Sequence, residues 1–261
     1  MNQSKRIALI SGAGRNIGAA TAKELAGRGY HVIVNYRSDA GAAAEVVTAI
    51  EAHGGTAEAA QADVCVADQV DALVERVRAD HGRIDLLICN ANTVTPPFVP
   101  FSELDFDTFA AKINGELAGS FFLTQRTLAV MRRQQSGRII YISSTASDTI
   151  GMAMAHSVAK AALNTFSRHI AGIAAQYGVT VNAVAFGAVH TDATSNFSES
   201  FWKYTTDRSV VARRVQPEDA ARAVALVADD GFGFTSGQVI RVDGGFEVLD
   251  QQLHPLADSF L

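Results

Sequence analysis

Three polar residues in the second half of the chain have the types and spacing needed for proton transfer at a substrate oxygen. Ser144 follows an apolar, strand-like run, whereas His156 and Lys160 lie four positions apart in the stretch MAMAHSVAK. Residues four apart share one face of a helix, so the lysine ammonium would lie beside the imidazole. A hydroxyl, a weak base and a fixed cation can together hold a substrate oxygen and move its proton. The alternative is a lysine that only decorates the surface of an alanine-rich helix.

A glycine-rich turn near the N-terminus has the composition of a phosphate-binding loop. The strand-like run RIALIS (6–11) is followed by GAGRNIG (12–18) and then by a helical pattern. Glycines let the backbone approach a pyrophosphate, and the start of the next helix offers free amides and the positive end of its dipole. The turn therefore predicts a dinucleotide site rather than only a tight connection. The predicted contacts are Gly12, Arg15, Asn16, Ile17 and Gly18.

The residues about twenty positions beyond that turn indicate which dinucleotide binds. An NAD site places an acid there, whereas the second strand-like run ends NYRS (35–38), without an acid. Arg37 presents a forked cation suited to phosphate, and Arg15 can lie on the same side. The sequence therefore favours NADP(H) over NAD(H), with Arg37 and Ser38 at the phosphate. The alternative is that Arg37 solvates a loop and Arg15 caps a helix.

The elements that must position these residues follow a regular rhythm. Short apolar runs alternate with helical patterns, which is typical of βαβ units around a parallel sheet. Strands are predicted at 6–11, 31–36, 56–62, 84–89, 137–143, 179–185 and 237–242. The third is weak and is assigned mainly from its place in the series. The predicted fold class is α/β, a doubly wound (Rossmann) seven-stranded parallel sheet flanked by helices.

No linker divides the chain, so residues 1–261 are expected to form a single domain. The segment of about 188–216 follows the sixth strand at its carboxyl end, where open α/β sheets bind ligands, and is interpreted as a substrate lid. Its aromatic residues favour an apolar or aromatic small molecule: Phe197, Phe201, Trp202 and Tyr204. The tail of about 247–261 either covers a neighbouring subunit or frays, and its apolar residues are Leu249, Leu253, Leu256, Phe260 and Leu261.

Composition makes several classes of function poor candidates. With 22 basic and 27 acidic residues, the chain has a net charge of −5, and it has no run of like charge, so no nucleic-acid or membrane partner is expected. The N-terminal apolar run 7–10 is too short for a signal peptide or a membrane span, and a cytoplasmic location is expected. Cys65 and Cys89 lack metal-ligand spacing and are expected to be reduced thiols. No metal site is predicted.

These segments together resemble the short-chain dehydrogenase/reductase (SDR) family over nearly the whole chain, from Ser11 to Gly245. The glycine turn is similar to the family's TGxxxGxG, with Ser11 for threonine and Asn16 for the middle glycine. Asparagine tolerates left-handed backbone, so the turn can keep its shape although the space beside the phosphates narrows. Further similarities are CNAN (89–92) to NNAG, HSVAK (156–160) to YxxxK, and FTSGQVIRVDGGF (234–246) to the last strand and turn.

The resemblance implies further cofactor contacts. These are Asp63 and Val64 at the adenine, Asn90 and Ala91 after the fourth strand, Gly187 after the sixth, Thr191 at the nicotinamide amide and Lys160 at the nicotinamide ribose. Asp63 would also suit a helix N-cap. Phe186 stands where the family usually has proline, and its ring is expected to narrow the pocket near the nicotinamide. The last strand and the helix at about 217–228 imply a homodimer or homotetramer.

The resemblance also assigns the catalytic residues Asn114, Ser144, His156 and Lys160. Asn114 corresponds to the mid-helix asparagine that helps to hold a water linking the lysine to solvent. The local motif makes Ser144 the catalytic serine, whereas counting back the family's usual spacing from His156 gives Ser143. We favour Ser144, because a shortened loop reconciles the two counts.

His156 is the main departure, since the family has a tyrosine there. A tyrosine oxygen lies about 6.5 Å from its Cα and an imidazole Nε2 about 4.5 Å, so His156 is roughly 2 Å short of the proton-transfer position unless a water or a shifted substrate closes the gap. The Lys160 cation is expected to lower the pKa of His156 from its reference of about 6.5. His190 and Tyr204 are alternative proton carriers.

Three functions follow from these observations. The first is an NADP-dependent oxidoreductase acting on a secondary alcohol or ketone, with Ser144 orienting the oxygen and His156 moving the proton. A neutral histidine is a base, so replacement of the family's tyrosine by His156 should slow alcohol oxidation less than carbonyl reduction. The second is a catalytically silent subunit, or pseudoenzyme, that binds nucleotide or assembles with an active relative. The third keeps the fold but performs elimination or isomerisation, with histidine as the base.

Overall fold

A computed structural model describes residues 5–149, 153–246 and 248. Within these ranges, seven parallel strands form one sheet in the order β3-β2-β1-β4-β5-β6-β7. The strands are β1 (Arg6–Ile10), β2 (Tyr30–Tyr36), β3 (Thr56–Gln61), β4 (Leu86–Cys89), β5 (Gly137–Ser144), β6 (Val179–Phe186) and β7 (Val239–Val242). The predicted Rossmann architecture is thus confirmed.

Helices cover both faces of the sheet. They are α1 (Asn16–Gly27), α2 (Ala40–Ala52), α3 (Ala67–His81), α4 (Phe106–Gln134), α5 (Met154–Ala174), α6 (Glu199–Asp207) and α7 (Pro217–Val227). One apolar core lies between the sheet and α1, α2 and α7, and the other between the sheet and α3, α4 and α5. The central strands are apolar along their length because successive side chains enter opposite cores. In β1, for example, Leu9 belongs to one core and Ile10 to the other.

The strand order places the candidate site. From β1 the sheet extends through β2 to β3 on one side, and from β4 it extends to β7 on the other. A crevice opens where these two halves meet, at the carboxyl ends of β1 and β4. The glycine turn follows β1, and Asn90 and Ala91 follow β4, so the two segments meet there. No helix in the described ranges is both long and apolar enough to cross a bilayer.

Ser11 joins these two strand ends. Its buried hydroxyl accepts hydrogen bonds from the backbone amides of Asn90 (2.9 Å) and Ala91 (3.1 Å), and it donates to the carbonyl of Ile88 (3.3 Å). A side chain that satisfies two part-buried amides stabilises the loop as well as positioning it. Ser11 therefore holds the glycine turn against the loop after β4.

Each strand differs from its predicted range at one end, by two residues in β4 and β7 and by one residue in the other five strands. Ile84 and Asp85 were included in the fourth strand, but β4 begins at Leu86. The amide of Ile84 donates to the side chain of Gln134 (2.8 Å) instead of entering the ladder. Gly237 lies in a turn with φ of 75°, so β7 begins only at Val239.

Candidate functional site

The glycine turn packs so closely on its neighbours that side chains would not fit. A Cβ on Gly18 would lie 2.3 Å from the carbonyl oxygen of Gly12 and 2.6 Å from Nδ2 of Asn90. Gly12 has a φ of 62°, and a Cβ there would lie 2.9 Å from Cα of Ala91. Asn90 completes this packing, because its Nδ2 donates to the carbonyls of Ser11 and Gly12, each at 3.0 Å. Asn90 and Ala91 thus shape the turn.

Asn16 adopts the left-handed conformation expected of it, with a φ of 51°. Its side chain also makes a contact that the sequence does not predict. Nδ2 donates to the carboxylate of Asp192 (3.0 Å), and Oδ1 accepts from the backbone amide of Asp192 (3.3 Å). These two bonds join the glycine turn to the segment 188–216 across the mouth of the crevice.

The first turn of α1 is free to receive an anion. Arg15 occupies the N-cap position, but its side chain makes no capping hydrogen bond, and the first turn contains no acidic residue. Arg15 thus occupies the helix-cap position of the alternative interpretation, but its guanidinium takes no part in capping. Ile17 is half-buried and packs against the core beneath α1. Open amides at the positive end of a helix dipole are a suitable site for a pyrophosphate.

Arg15 and Arg37 are both exposed, and no carboxylate among the described residues forms a salt bridge with either. The backbone of Arg37 is held by a hydrogen bond from Gln61 Nε2 to its carbonyl (3.1 Å), which leaves the guanidinium free at the end of β2. Ser38, the next residue, is also exposed. The site thus offers two unneutralised cations to a phosphate group.

Asp63 does not cap α3, because the N-cap position belongs to Val66. The Asp63 carboxylate instead accepts from the amide of Cys65 (2.9 Å), and its own amide donates to Gln69 (2.7 Å). Val64 is buried beside Gly119, where an added Cβ would lie 2.8 Å from a Val64 methyl group. Both cysteines are free thiols, and burial raises the pKa of Cys89 to about 12.

A buried cluster of three charged side chains lies between α4 and α5, and we call it the Lys112–Glu116–Lys160 cluster. Glu116 Oε2 accepts from Lys112 Nζ at 2.7 Å, and Oε1 accepts from Lys160 Nζ. Lys112 also donates to Oδ1 of Asn92 (2.5 Å) and to the carbonyl of Val94 (2.9 Å). All three charged side chains are at least nine-tenths buried. The two ammonium groups therefore share one carboxylate.

The cluster fixes the ammonium group of Lys160. A second bond runs from Nζ to the carbonyl of Ile142 in β5 (2.7 Å). Although burial alone would raise the pKa of Glu116, the two ammonium groups lower it to about 2. Burial lowers the pKa of Lys112, and the Glu116 carboxylate partly opposes this shift. A lysine ammonium has three donors, so Lys160 keeps one for another partner.

Asn114 does not lie where the resemblance places it. It is exposed, and no hydrogen bond joins its side chain to Lys160 in the described part of the chain. Residues two apart on a helix point to nearly opposite sides, and Glu116 is the α4 residue that contacts Lys160. The spacing of Lys112 and Glu116 predicts an ion pair, but sequence spacing alone does not tell a buried pair from a surface one.

His156 lies one turn before Lys160 on α5, as predicted. It is partly buried, and Nδ1 has no hydrogen-bond partner among the described residues. Burial lowers the pKa of His156 to about 4, and the Lys160 and Lys112 charges act in the same direction, against Glu116. The predicted direction is confirmed, although burial, which the sequence did not reveal, is the larger cause. The imidazole is neutral at physiological pH.

The two candidate serines differ in what they bind. Ser143 is buried, and its hydroxyl donates to Oδ1 of Asn164 on α5 (2.6 Å). Ser144 is half-exposed at the end of β5, where its oxygen accepts from the amide of Ala146 (3.1 Å) and its proton is given to no group in the described ranges. Only Ser144 has a hydroxyl proton available for a ligand.

Three residues of interest lie at the end of β6 or just after it: Phe186, Gly187 and Thr191. Phe186 is 2% exposed and lies in the core beneath α1 and α7, so the expectation that its ring narrows the pocket is wrong. Gly187 packs against Asp243, where an added Cβ would approach to 3.0 Å. The backbone amide of Thr191 donates to the hydroxyl of Thr194 (2.9 Å). This bond uses the backbone of Thr191 and not its hydroxyl.

Two alternative proton carriers lie on the segment 188–216. His190 is exposed and packs edge-on against Trp202, with ring centroids 5.7 Å apart. Tyr204 is 47% exposed, and the guanidinium of Arg208 stacks on its ring at 4.4 Å. Each ring is thus engaged in contacts within the segment itself.

We expect the imidazole of His156 to titrate near pH 4, whereas the same group in the unfolded chain titrates near about 6.5. Between these values the unfolded chain takes up the proton first, so the native state should lose stability as the pH falls from about 6.5 towards 4. NMR titration would measure this pKa, with His156→Gln identifying the signals. A titration at pH 6 or above would contradict this account of the site.

Comparison with known proteins identifies relatives over nearly the whole chain. A family model described as "Enoyl-(Acyl carrier protein) reductase" matches residues 12–247. A 3-oxoacyl-(acyl-carrier-protein) reductase from Synechocystis sp. is 38% identical over 243 residues, which cover 92% of this chain and 96% of the relative. A cis-4-hydroxycyclohexanecarboxylate dehydrogenase from Sinomonas cyclohexanicum is 33% identical over 245 residues, which cover 93% of this chain and 97% of the relative.

Solved structures of dehydrogenases share the fold. An acetoin dehydrogenase from Enterobacter cloacae superposes with a TM-score of 0.84 at 30% identity, covering 96% of this chain and 99% of that one. A gluconate 5-dehydrogenase from Burkholderia cenocepacia, crystallised with NADP and tartrate, superposes with a TM-score of 0.87 at 27% identity, covering 94% and 96%. With the family model spanning nearly its whole length, this chain belongs to the short-chain dehydrogenase/reductase family of oxidoreductases.

Proposed function

We propose that this protein is an NADP-dependent oxidoreductase that acts on a secondary alcohol or ketone and uses His156 to carry the proton. The observation that carries the proposal is the geometry of Lys160. Its ammonium is held by Glu116 and Ile142 with one donor left over, one helical turn from a neutral imidazole whose Nδ1 has no partner in the described chain. A cation and a base are thus held together on α5, and the cation is bonded to β5, the strand that ends at Ser144.

The residues present fit a nicotinamide dinucleotide with a 2′-phosphate. The uncapped first turn of α1 suits the pyrophosphate, and the free guanidinium groups of Arg15 and Arg37 suit the extra phosphate, with Ser38 beside them. The remaining contacts would come from Asp63 and Val64 at the adenine, from Asn90, Ala91 and Gly187 along the crevice, and from Lys160 and Thr191 at the nicotinamide end.

When bound, the nicotinamide supplies the acceptor or donor of hydride. Ser144 donates its free hydroxyl proton in a hydrogen bond to the substrate oxygen and so orients it. His156 removes the hydroxyl proton of the alcohol, either directly from a shifted substrate or through one water, because an imidazole reaches roughly 2 Å less far than a phenol. Lys160 binds the ribose with its remaining donor.

The charge state of His156 sets the favoured direction. With a pKa of about 4, the imidazole carries no proton to give at neutral pH and is free to accept one. Alcohol oxidation needs a base at this position, whereas carbonyl reduction needs an acid. We therefore infer that oxidation is the faster direction near neutral pH.

The segment 188–216 is proposed as a lid over an apolar or aromatic substrate. Its aromatic rings pack on one another, with Phe197 and Phe201 at 4.7 Å between centroids. Phe98, from the loop after β4, meets Phe197 edge-on at 5.5 Å. The Asn16–Asp192 bonds join the start of this segment to the glycine turn, so the lid and the cofactor loop would move together.

Assembly into a homodimer or homotetramer is proposed from the face formed by α7 and β7. Leu226 on α7 is 59% exposed, and Phe234, in the loop before β7, is fully exposed. Apolar side chains of this size are common in subunit interfaces. The tail residues from Leu249 onward, which are expected either to cover a neighbouring subunit or to fray, lie outside the described part of the chain.

A silent, nucleotide-binding subunit is the second candidate, and the position of His156 favours it. At the position of the family's tyrosine, the imidazole of His156 falls roughly 2 Å short of the proton-transfer position. Without a water that bridges this gap or a shifted substrate, proton transfer stops. The same nucleotide contacts and the same assembly face would serve a subunit that partners an active relative.

The two candidates differ in how substitutions at position 156 act. We expect wild-type protein to oxidise members of a panel of secondary alcohols with NADP⁺, and His156→Gln to lower kcat by about 10²- to 10⁴-fold through loss of the base. His190→Gln is the matched control and should leave kcat unchanged. Activity that appears only in His156→Tyr would instead identify the silent subunit, and loss of activity in His190→Gln would make His190 the proton carrier.

Nucleotide binding tests the phosphate contact separately. Calorimetry should find that NADPH binds more tightly than NADH. Arg37→Ala should lower the affinity for NADPH by roughly tenfold to a hundredfold, the effect of one charge-assisted hydrogen bond, and should leave the affinity for NADH unchanged. Arg133→Ala, an exposed arginine on α4, is the control. Tighter binding of NADH than of NADPH would overturn the assignment of the cofactor.

A further inference from the structure

Three side chains that the proposed reaction does not use meet at the amino end of the sheet. His31 is the second residue of β2, Glu58 lies in the edge strand β3, and His81 is the last residue of α3. His31 pairs with Thr56 in the ladder, so Glu58, two residues further along, presents its side chain on the same face. The C-terminus of α3 packs over that face. The crevice described above lies at the opposite, carboxyl ends of the strands.

The polar atoms of these side chains converge without forming hydrogen bonds within the described residues. Nε2 of His31, Oε1 of Glu58 and Nε2 of His81 are buried atoms that lack a hydrogen-bond partner within the described residues. One potential ligand atom from each residue lies within 4.8 Å of those from the other two. Burying three polar atoms without partners costs free energy unless something binds between them.

The distances suit a small transition-metal ion. Zinc binds imidazole nitrogen and carboxylate oxygen at about 2.0–2.1 Å, which puts neighbouring tetrahedral ligands roughly 3.3 Å apart. His81 Nε2 and Glu58 Oε1 are 3.5 Å apart. All three potential ligand atoms lie within 4.8 Å of one another, so reaching the tetrahedral spacing needs a movement of at most roughly 1.5 Å.

The charges around the cluster also suit a cation. Glu58 supplies the negative charge. Lys5 opposes a cation at His31, as does Arg76, whose guanidinium lies 3.7 Å from Glu58 Oε1. The Arg76 side chain is 46% exposed and can turn into solvent.

We propose that His31, Glu58 and His81 form a binding site for one divalent transition-metal ion of the zinc type. Two imidazoles and one carboxylate are a common ligand set for zinc, with water completing the tetrahedron. The ion joins the edge strand β3 and the strand β2 to the C-terminus of α3. Because it lies at the far end of the sheet from the crevice, the ion takes no part in the proposed oxidoreduction.

Metal titration of the whole protein tests this site. Protein stripped with a chelator should bind one equivalent of Zn²⁺ with micromolar or tighter affinity in calorimetry, and Co²⁺ should produce the visible absorption of nitrogen and oxygen ligation. His81→Gln and His31→Gln should each weaken Zn²⁺ at least about tenfold. His169→Gln, an exposed histidine on α5, should not.

Thermal unfolding provides a second readout. Zn²⁺ should raise the Tm of the wild type and of His169→Gln but not that of His81→Gln. If the wild type shows neither heat nor Co²⁺ absorption, the proposal fails, and it fails equally if the His81→Gln and His31→Gln variants bind as tightly as the wild type. In those cases His81 and Glu58 form only an ordinary ion pair when the histidine is protonated.

Discussion

A buried carboxylate shared by two ammonium groups is the constraint on which the candidate site depends. Glu116 takes Lys112 on one oxygen and Lys160 on the other, and the two lysines reach out from there to Asn92, Val94 and Ile142. Removing one member of such a cluster leaves a buried charge without a partner, which costs far more than losing a surface pair. The cluster therefore couples α4, α5, β5 and the loop after β4 into one rigid support.

The fold follows from local patterns that a sequence displays directly. Buried parallel strands are apolar throughout, amphipathic helices separate them, and the glycine turn opens a helix after β1. Even the weak third strand forms, because its place beside β2 is fixed by the topology more than by its own residues. The two-residue shifts occur where the amide of Ile84 bonds outside the ladder and where the backbone turns at Gly237.

The candidate site was predicted less completely because its contacts join distant elements. The left-handed backbone of Asn16 followed from residue type, but its bonds to Asp192 cross 176 positions of sequence. The resemblance pointed to Asn114, whereas Glu116 contacts Lys160. The direction of the His156 pKa shift followed from the neighbouring lysine, but its main cause, burial, needed the packing. His31, Glu58 and His81 show no ligand spacing at all.

The support that Glu116 gives to Lys160 can be measured as a free energy of unfolding. Glu116→Gln keeps the shape but leaves two buried ammonium groups facing a neutral amide, and urea denaturation should report a loss of about 3–5 kcal/mol. Asp71→Asn, which breaks the exposed pair with Arg126, should cost less than about 1 kcal/mol. Equal, small losses in the two variants would show that the cluster does not hold Lys160 in place.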